Sequence, residues 1–482
     1  MKLLKLNTIK LFGLYLLSIM VRYYLPQAAG DIFFLILLLI FYNSKDNTFW
    51  LAFILLLVQS PGYLFAAHSP NFALPSIWVT SKVEILYPSF FFLIAFIKAI
   101  MAKRYNLKQF YGRDITYLAV YLIFMIILSS IFDFKVTRMF GIILLTMPLL
   151  SFYFIPRLIT TEIQYANLFS ILFTFAIILF IAQISDLLGF RPLAAYLGET
   201  FFGRSSSGKL LDENVAYLFT EKYGRASIYG VHISFMSFMM ALYYFVSNNS
   251  YFNKYYLIAI ISITTLSFTL TGTRGWMIAF LVMIILFIFS IANRPRILFK
   301  FVFVPLIMIA LSLSTSAKVR NLASSGLDRL ETVGLVLRGD ITAGGTLGRL
   351  DVRGPRVLEM FYKSPIIGWG FTENYRNYSD KHVGQHNMLL NGGIVGYVLF
   401  MYFFTHYIYK LFSVYRYSSV QNIYRQGIFI FIIGFIGMFI IHSSTTMMFG
   451  YDMQFAKSLM LAVFISFSDY NYRQVIKYDQ NI

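Results

Sequence analysis

The chain has 482 residues, 58% of them hydrophobic, 19% aromatic and only 13% charged, with a mean hydropathy of +0.69, a net charge of +19 and no cysteine. The charged fraction is about half that of a soluble domain, which excludes an ordinary soluble fold; the missing cysteines exclude disulfides, thiolate nucleophiles and Cys-ligated metals. The positive charge reads as Lys and Arg that fix membrane topology and meet anionic lipid, not as a nucleic-acid surface.

About fourteen apolar stretches follow in order, near 10–26, 30–43, 49–67, 84–102, 116–133, 138–156, 166–188, 226–247, 254–271, 275–293, 299–316, 388–409, 427–443 and 452–468. Most are long enough to cross a ~30 Å hydrocarbon core as helices. They are too long and too uniformly apolar for barrel strands, which alternate. The first carries Arg22 near its far end and no small-residue cleavage site, so it reads as a retained helix. The expected fold is all-α: a polytopic membrane protein of about 12–14 transmembrane helices, with a large extracytoplasmic loop containing short helices. Residues 1–224 form an N-terminal helical part with an outside loop near 189–225. Residues 225–482 form a second part with a long outside loop near 317–387.

Charge placement sets the orientation. With the N-terminus inside, Lys2, Lys5, Lys10, Lys103, Arg104, Lys108, Arg113, Arg294, Arg296, Lys300, Lys410, Arg416, Arg425, Arg473 and Lys477 fall on the cytoplasmic side. Short outside loops carry few: Arg22, Lys82, Lys135, Arg138 and Arg274. That asymmetry follows the positive-inside rule. The loop 317–387 breaks it with Arg320, Arg329, Arg338, Arg349, Arg353, Arg356 and Arg376, so its arginines have a task other than topology. Within it, residues 319–337 have helical apolar spacing, and a second short helix is expected around Val357, Leu358 and Phe361, ending before Pro365.

Three outside features could carry chemistry: Arg274 in the turn Thr271-Gly272-Thr273-Arg274-Gly275, Arg349 after Gly348, and His386 between Gln385 and Asn387. Taken singly, each has a bland reading: a snorkelling Arg, a solvated Arg and a helix-end His. Together they map to one membrane face. Guanidinium forks suit phosphate oxygens, and a neutral imidazole can take a proton from an attacking hydroxyl. The set fits group transfer from a diphosphate-linked lipid. Of the other histidines, His382 shares the loop, His232, His442 and His68 lie near outside ends, and His406 lies near the cytoplasmic end. No pair has HExxH-type spacing, so no metal or other cofactor is expected. No Walker loop, GxSxG or GxGxxG is present.

The stretch GRLDVRGPRVLEMFYKSPIIGWGF followed by QHNMLLNGGIVG resembles the C-terminal signature of the O-antigen ligase and Wzy-type polysaccharide polymerase superfamily. TGTRG resembles that family's earlier arginine turn. The likeness covers about residues 225–400, with one departure: Arg353 stands where many relatives have Trp. It implies a membrane-embedded, metal-independent inverting glycosyltransferase in the bacterial inner membrane, its site facing the periplasm. Arg274 and Arg349 would hold the diphosphate of an undecaprenyl-diphosphate-linked glycan donor, with Arg225 as a further contact. His386 would activate the acceptor glycan. Membrane lipid and a chain-length regulator are the other expected partners. Two long outside loops and the number of spans favour a polymerase of lipid-linked repeat units over a ligase acting on lipid A–core. A lipid-linked glycan transporter is the third reading, and the few ionisable residues inside spans (Lys98, Glu84, Lys457) argue against it.

Overall fold

The computed structural model describes residues 8–58, 76–80, 83–102, 111–187, 231–247, 251–271, 274–291, 353–380, 382–419, 424–444 and 446–480. These are almost wholly helical. The helices are α1 (Thr8–Tyr24), α2 (Gln27–Asn43), α3 (Asn47–Leu57), α4 (Tyr87–Met101), α5 (Asp114–Phe132), α6 (Val136–Thr146), α7 (Ser151–Leu158), α8 (Glu162–Leu187), α9 (Val231–Val246), α10 (Lys254–Thr271) and α11 (Arg274–Ile291). After the long loop come α12 (Gly354–Phe361), α13 (Glu373–Tyr378), α14 (Gly384–Tyr417), α15 (Arg425–Ser444) and α16 (Phe455–Gln480). Helix lies over at least part of every expected span except 299–316, which falls outside the described residues, as do residues 59–67 of the third span and the amphipathic stretch 319–337. Among the described residues, five helices are long and apolar enough to cross a membrane: α5, Met139–Leu158, the first part of α8, α14 and α15.

Two details differ from the sequence expectation. A two-stranded sheet, β1 (Ser76–Thr80) and β2 (Val83–Leu86), precedes α4, where β-branched residues suit extended backbone. The stretch 138–156 is not one continuous α-helix. Pro148 opens a short 3-10 segment, Met147–Leu150, between α6 and α7, because proline removes a donor and crowds the preceding turn.

The chain divides into two compact units. Unit one holds α1–α3 and α8–α11. Its centre is α9, all sixteen residues of which are buried. Phe238, Phe268, Trp276 and Phe280 pack there, and Ser234 meets Ser267 at 3.1 Å. Small hydroxyl residues at such contacts let helices approach closely and satisfy each other.

Unit two holds most of α4 together with α5–α7 and α12–α16. Helix α5 shows what solvent it expects. Tyr117, Val120, Ile123, Ile127 and Ile131 form an exposed apolar stripe at helical spacing, while Leu118, Tyr121, Met125 and Ser129 turn inward. The outward face is the greasier one, as for a helix in lipid. Polar contacts in this unit gather at two ends. At one end Asp114 pairs with His406, and buried Asp469 takes Lys410 at 3.3 Å and Arg473 Nε at 3.0 Å. At the other end Asp133, the 364–386 segment, Ser443 and Asp452 meet. The Lys/Arg asymmetry predicts the same sorting of residues between ends.

Candidate active site at the loop end of unit two

The site is built around a break in α14. At Gly393 the backbone leaves the helix, with φ +62° and ψ −169°. A helix broken inside a bilayer exposes backbone groups that lipid cannot satisfy. Here the turn before α13 satisfies them. Trp369 N donates to Leu390 O at 2.9 Å and Gly370 N to Asn391 O at 2.8 Å. In return Ile394 N donates to Pro365 O at 2.8 Å and Val395 N to Ile366 O at 3.1 Å. The segment 365–370 thus replaces the helix's own ladder across the gap.

Helix α5 clamps this junction from the side. The Tyr121 hydroxyl lies 2.5 Å from Gly392 O and 3.1 Å from Ile367 O. Ser129 Oγ accepts from Phe371 N at 2.8 Å and donates to Met125 O at 2.6 Å. Asp133 Oδ2 accepts from Glu373 N at 2.6 Å. Below the turn, Val357, Met360, Phe361, Tyr375, Val383 and Leu390 form an apolar cluster that seats α12 and α13 on α14. The short helix expected around Val357–Phe361 is α12, and it ends before Pro365.

His386 stands in the first turn of α14, not before it, because the helix already begins at Gly384. Its side chain is partly buried and forms no hydrogen bond with the described residues. Its neighbours are anchored. Gln385 Nε2 donates to Ser443 Oγ at 2.8 Å, and Gln385 Oε1 accepts from the Tyr397 hydroxyl at 2.9 Å. Asn387 is wholly buried: Nδ2 donates to the Tyr375 oxygen at 2.8 Å and Oδ1 accepts from Asp380 N at 3.0 Å. The Tyr375 hydroxyl in turn donates to buried Asp452 Oδ2 at 2.6 Å. Burial, reinforced by Asp452, pushes the Tyr375 phenol well above its usual pKa, so it stays a donor at neutral pH. An imidazole with no hydrogen-bond partner among the described residues is thus held between two fixed residues on a helix N-terminus that none of their side chains caps.

The other expected site residues are less fully described. Arg274 opens α11, but its side chain is not among those described; Arg225 and Arg349 lie outside the described residues. His442 is buried and structural: Nδ1 accepts from Met448 N at 3.1 Å and Phe449 N at 3.3 Å. Arg353 meets Asp380 at 3.5 Å, an exposed pair that links it to the Asn387 contact. The residues missed from sequence are Tyr121, Ser129, Asp133, Tyr375 and Asp452; all but Tyr375, which sits in the long loop, lie within an apolar stretch.

Comparison with protein families matches residues 257–401 to the O-antigen ligase family. The match takes in positions 274, 349 and 386, leaves out Arg225, and covers under a third of the chain. No curated protein matches the chain. Residues 257–401 of this largely helical membrane protein thus resemble the O-antigen ligase family, whose ligases and polymerases are glycosyltransferase-like enzymes.

Proposed function

We propose that the protein polymerises undecaprenyl-diphosphate-linked oligosaccharide units at the periplasmic face of the bacterial inner membrane. The observation that carries the glycosyl-transfer part of this reading is the family match over residues 257–401, a range that includes Arg274, Arg349 and His386. The His386 imidazole, without a hydrogen-bond partner among the described residues and on a helix N-terminus, supports it. In the proposed step the acceptor hydroxyl loses its proton to an imidazole nitrogen of His386. Its oxygen forms a bond to the anomeric carbon as the bond from that carbon to the diphosphate oxygen breaks. The lipid diphosphate leaves as an anion, and attack from the opposite face inverts the anomeric centre. Arg274 and Arg349 stabilise the charge that develops on the diphosphate. The dipole of α14 favours an anion at the same end.

Two long outside loops and the number of apolar stretches favour polymerase over ligase. The test is the polysaccharide ladder of a deletion strain complemented with this gene. A polymerase restores the ladder on the lipid-linked intermediate even without a lipid A–core acceptor. A ladder already present on the lipid carrier in the deletion strain, which complementation only moves to lipid A–core, would instead identify a ligase.

A further inference from the structure

Helix α7 ends with an arginine that the described residues leave without a counter-ion. Arg157 is only 7% exposed. Its Nη1 donates to Tyr153 O at 3.0 Å, and the guanidinium carbon lies 3.7 Å from the centre of the Tyr153 ring. Among the described residues it makes no other hydrogen bond and has no carboxylate partner. The buried carboxylate at this end of unit two, Asp469, is taken by Lys410 and Arg473. A guanidinium carries five N–H donors, so most of the fork is unused. Its Nε and Nη2 atoms are not sealed from their surroundings. A charge withdrawn from water is costly until an opposite charge meets it.

A cavity of about 190 Å³ begins at the same tyrosine. Leu122 of α5, Phe152 and Tyr153 of α7, Phe403 of α14 and Leu461 of α16 are in its wall, and no Asp, Glu, Lys or Arg lines it. Ala119 also lines it and is exposed on the outward apolar face of α5, so the cavity opens towards lipid. An apolar cavity of ~150 Å³ holds a benzene ring. This one therefore takes a segment of a single hydrocarbon chain and has no place for a polar headgroup.

The two features share Tyr153 and lie one turn apart on α7, and together they select a ligand. A free phosphate would leave the cavity empty. A neutral apolar lipid would leave the guanidinium unpaired. A phospholipid satisfies both, because its phosphodiester oxygens suit the arginine fork and its acyl chain suits the cavity. We infer that Arg157 and this cavity bind one phospholipid, with its phosphate on the guanidinium and part of one chain in the cavity. The site is separate from the proposed donor site. Phe152 meets the Tyr111 ring, and the Tyr111 hydroxyl lies 3.2 Å from Ser466 Oγ, one turn before Asp469. That is the end of unit two away from His386, the end that the Lys/Arg asymmetry assigns to the cytoplasmic leaflet with its anionic lipid.

The test uses the full-length protein in phosphatidylcholine nanodiscs that carry a phosphatidylglycerol with a photoreactive group midway along one acyl chain. After illumination, labelled peptides are mapped. In the wild type the label is expected on the peptides that carry Leu122 and Phe152. Arg157→Gln, which keeps a donor for Tyr153 O but loses the charge, is expected to take about tenfold less label there. Ala119→Phe, at an exposed position, plugs the mouth without a change in the core and is expected to do the same, so the test survives if Arg157→Gln fails to fold. A diacylglycerol with the same photoreactive chain is expected to label weakly, since it lacks the phosphate. Label spread evenly along the outward face of α5, or equal labelling of wild type and both variants, overturns the site. Displacement of the probe by inorganic phosphate would make it a free-anion site. Displacement by a polyprenyl phosphate in preference to unlabelled phosphatidylglycerol would make it a carrier-lipid site. Either result overturns the phospholipid assignment.

Discussion

Gly368 and Gly393 face each other backbone to backbone. A Cβ on Gly368 would lie 2.3 Å from Gly393 N, and a Cβ on Gly393 would lie 2.4 Å from Gly368 N. Both have positive φ, +69° and +62°. The contact lets the 365–370 segment enter the break in α14 closely enough to exchange four backbone hydrogen bonds with it. The break and the turn are therefore one structural element, contributed by segments more than twenty residues apart.

Alanine at either glycine is expected to destabilise the protein by about 2–4 kcal/mol, combining positive-φ strain with overpacking against backbone. Gly392→Ala is the control: its Cβ would find its nearest atom at an ordinary 3.4 Å, on the Tyr451 ring. Thermal melting in detergent checks this. A Gly368→Ala protein that melts with the wild type would contradict the close contact.

Tyr375→Phe keeps the ring in the apolar cluster but withdraws the donor to Asp452 and the acceptor for Asn387. The expected loss is about 2 kcal/mol, because the bond to a buried carboxylate is charge-assisted. Since the raised phenol pKa keeps Tyr375 protonated in the folded state, its contribution is fully present below the unfolded value of about 10 and declines only above it. The loss should therefore be the same at mildly acidic and neutral pH. A penalty that changes across that range would contradict a neutral Tyr375.

How much of this was readable in advance depended on the signal. Helices were legible because apolar runs of near-membrane length have one good solution in lipid, and α5, α14 and α15 lie where hydropathy puts them. The break at Gly393 was not, since Gly392-Gly393 within an apolar run reads equally as a helix start. Its cause is the 365–370 turn, a tertiary partner that periodicity does not encode. The position of His386 at the start of an apolar helix was legible, since apolar sequence resumes just after Asn387. Asp452 and Asp133 were not, because a lone carboxylate at a helix end is ordinarily solvated, and only the fold sets them against Tyr375 and Glu373.

Arg349→Lys keeps the charge but loses the bidentate fork. Transfer is expected to fall by about 10²–10³, the effect of removing one well-placed donor in a dry site. Arg353→Lys is the matched comparison. Among the described residues Arg353 forms an exposed pair with Asp380 at 3.5 Å, so the change should cost under about 1 kcal/mol of stability and leave transfer nearly unchanged. Ladder formation at equal membrane abundance reads both. Normal ladders from Arg349→Lys would remove Arg349 from the site.

In the proposed step His386 takes the proton of the acceptor hydroxyl. The direct measurement is single-turnover transfer from a purified undecaprenyl-diphosphate-linked donor by His386→Ala, with donor binding measured on the same preparation. The expected rate is lower by about 10²–10⁴, as for loss of a general base, with donor affinity unchanged and the wild-type rate unaffected by EDTA. The wild-type rate should also fall as acid protonates the imidazole, because a protonated ring has no lone pair to accept the proton. A His386→Ala enzyme that binds donor and transfers it at the wild-type rate would contradict the account.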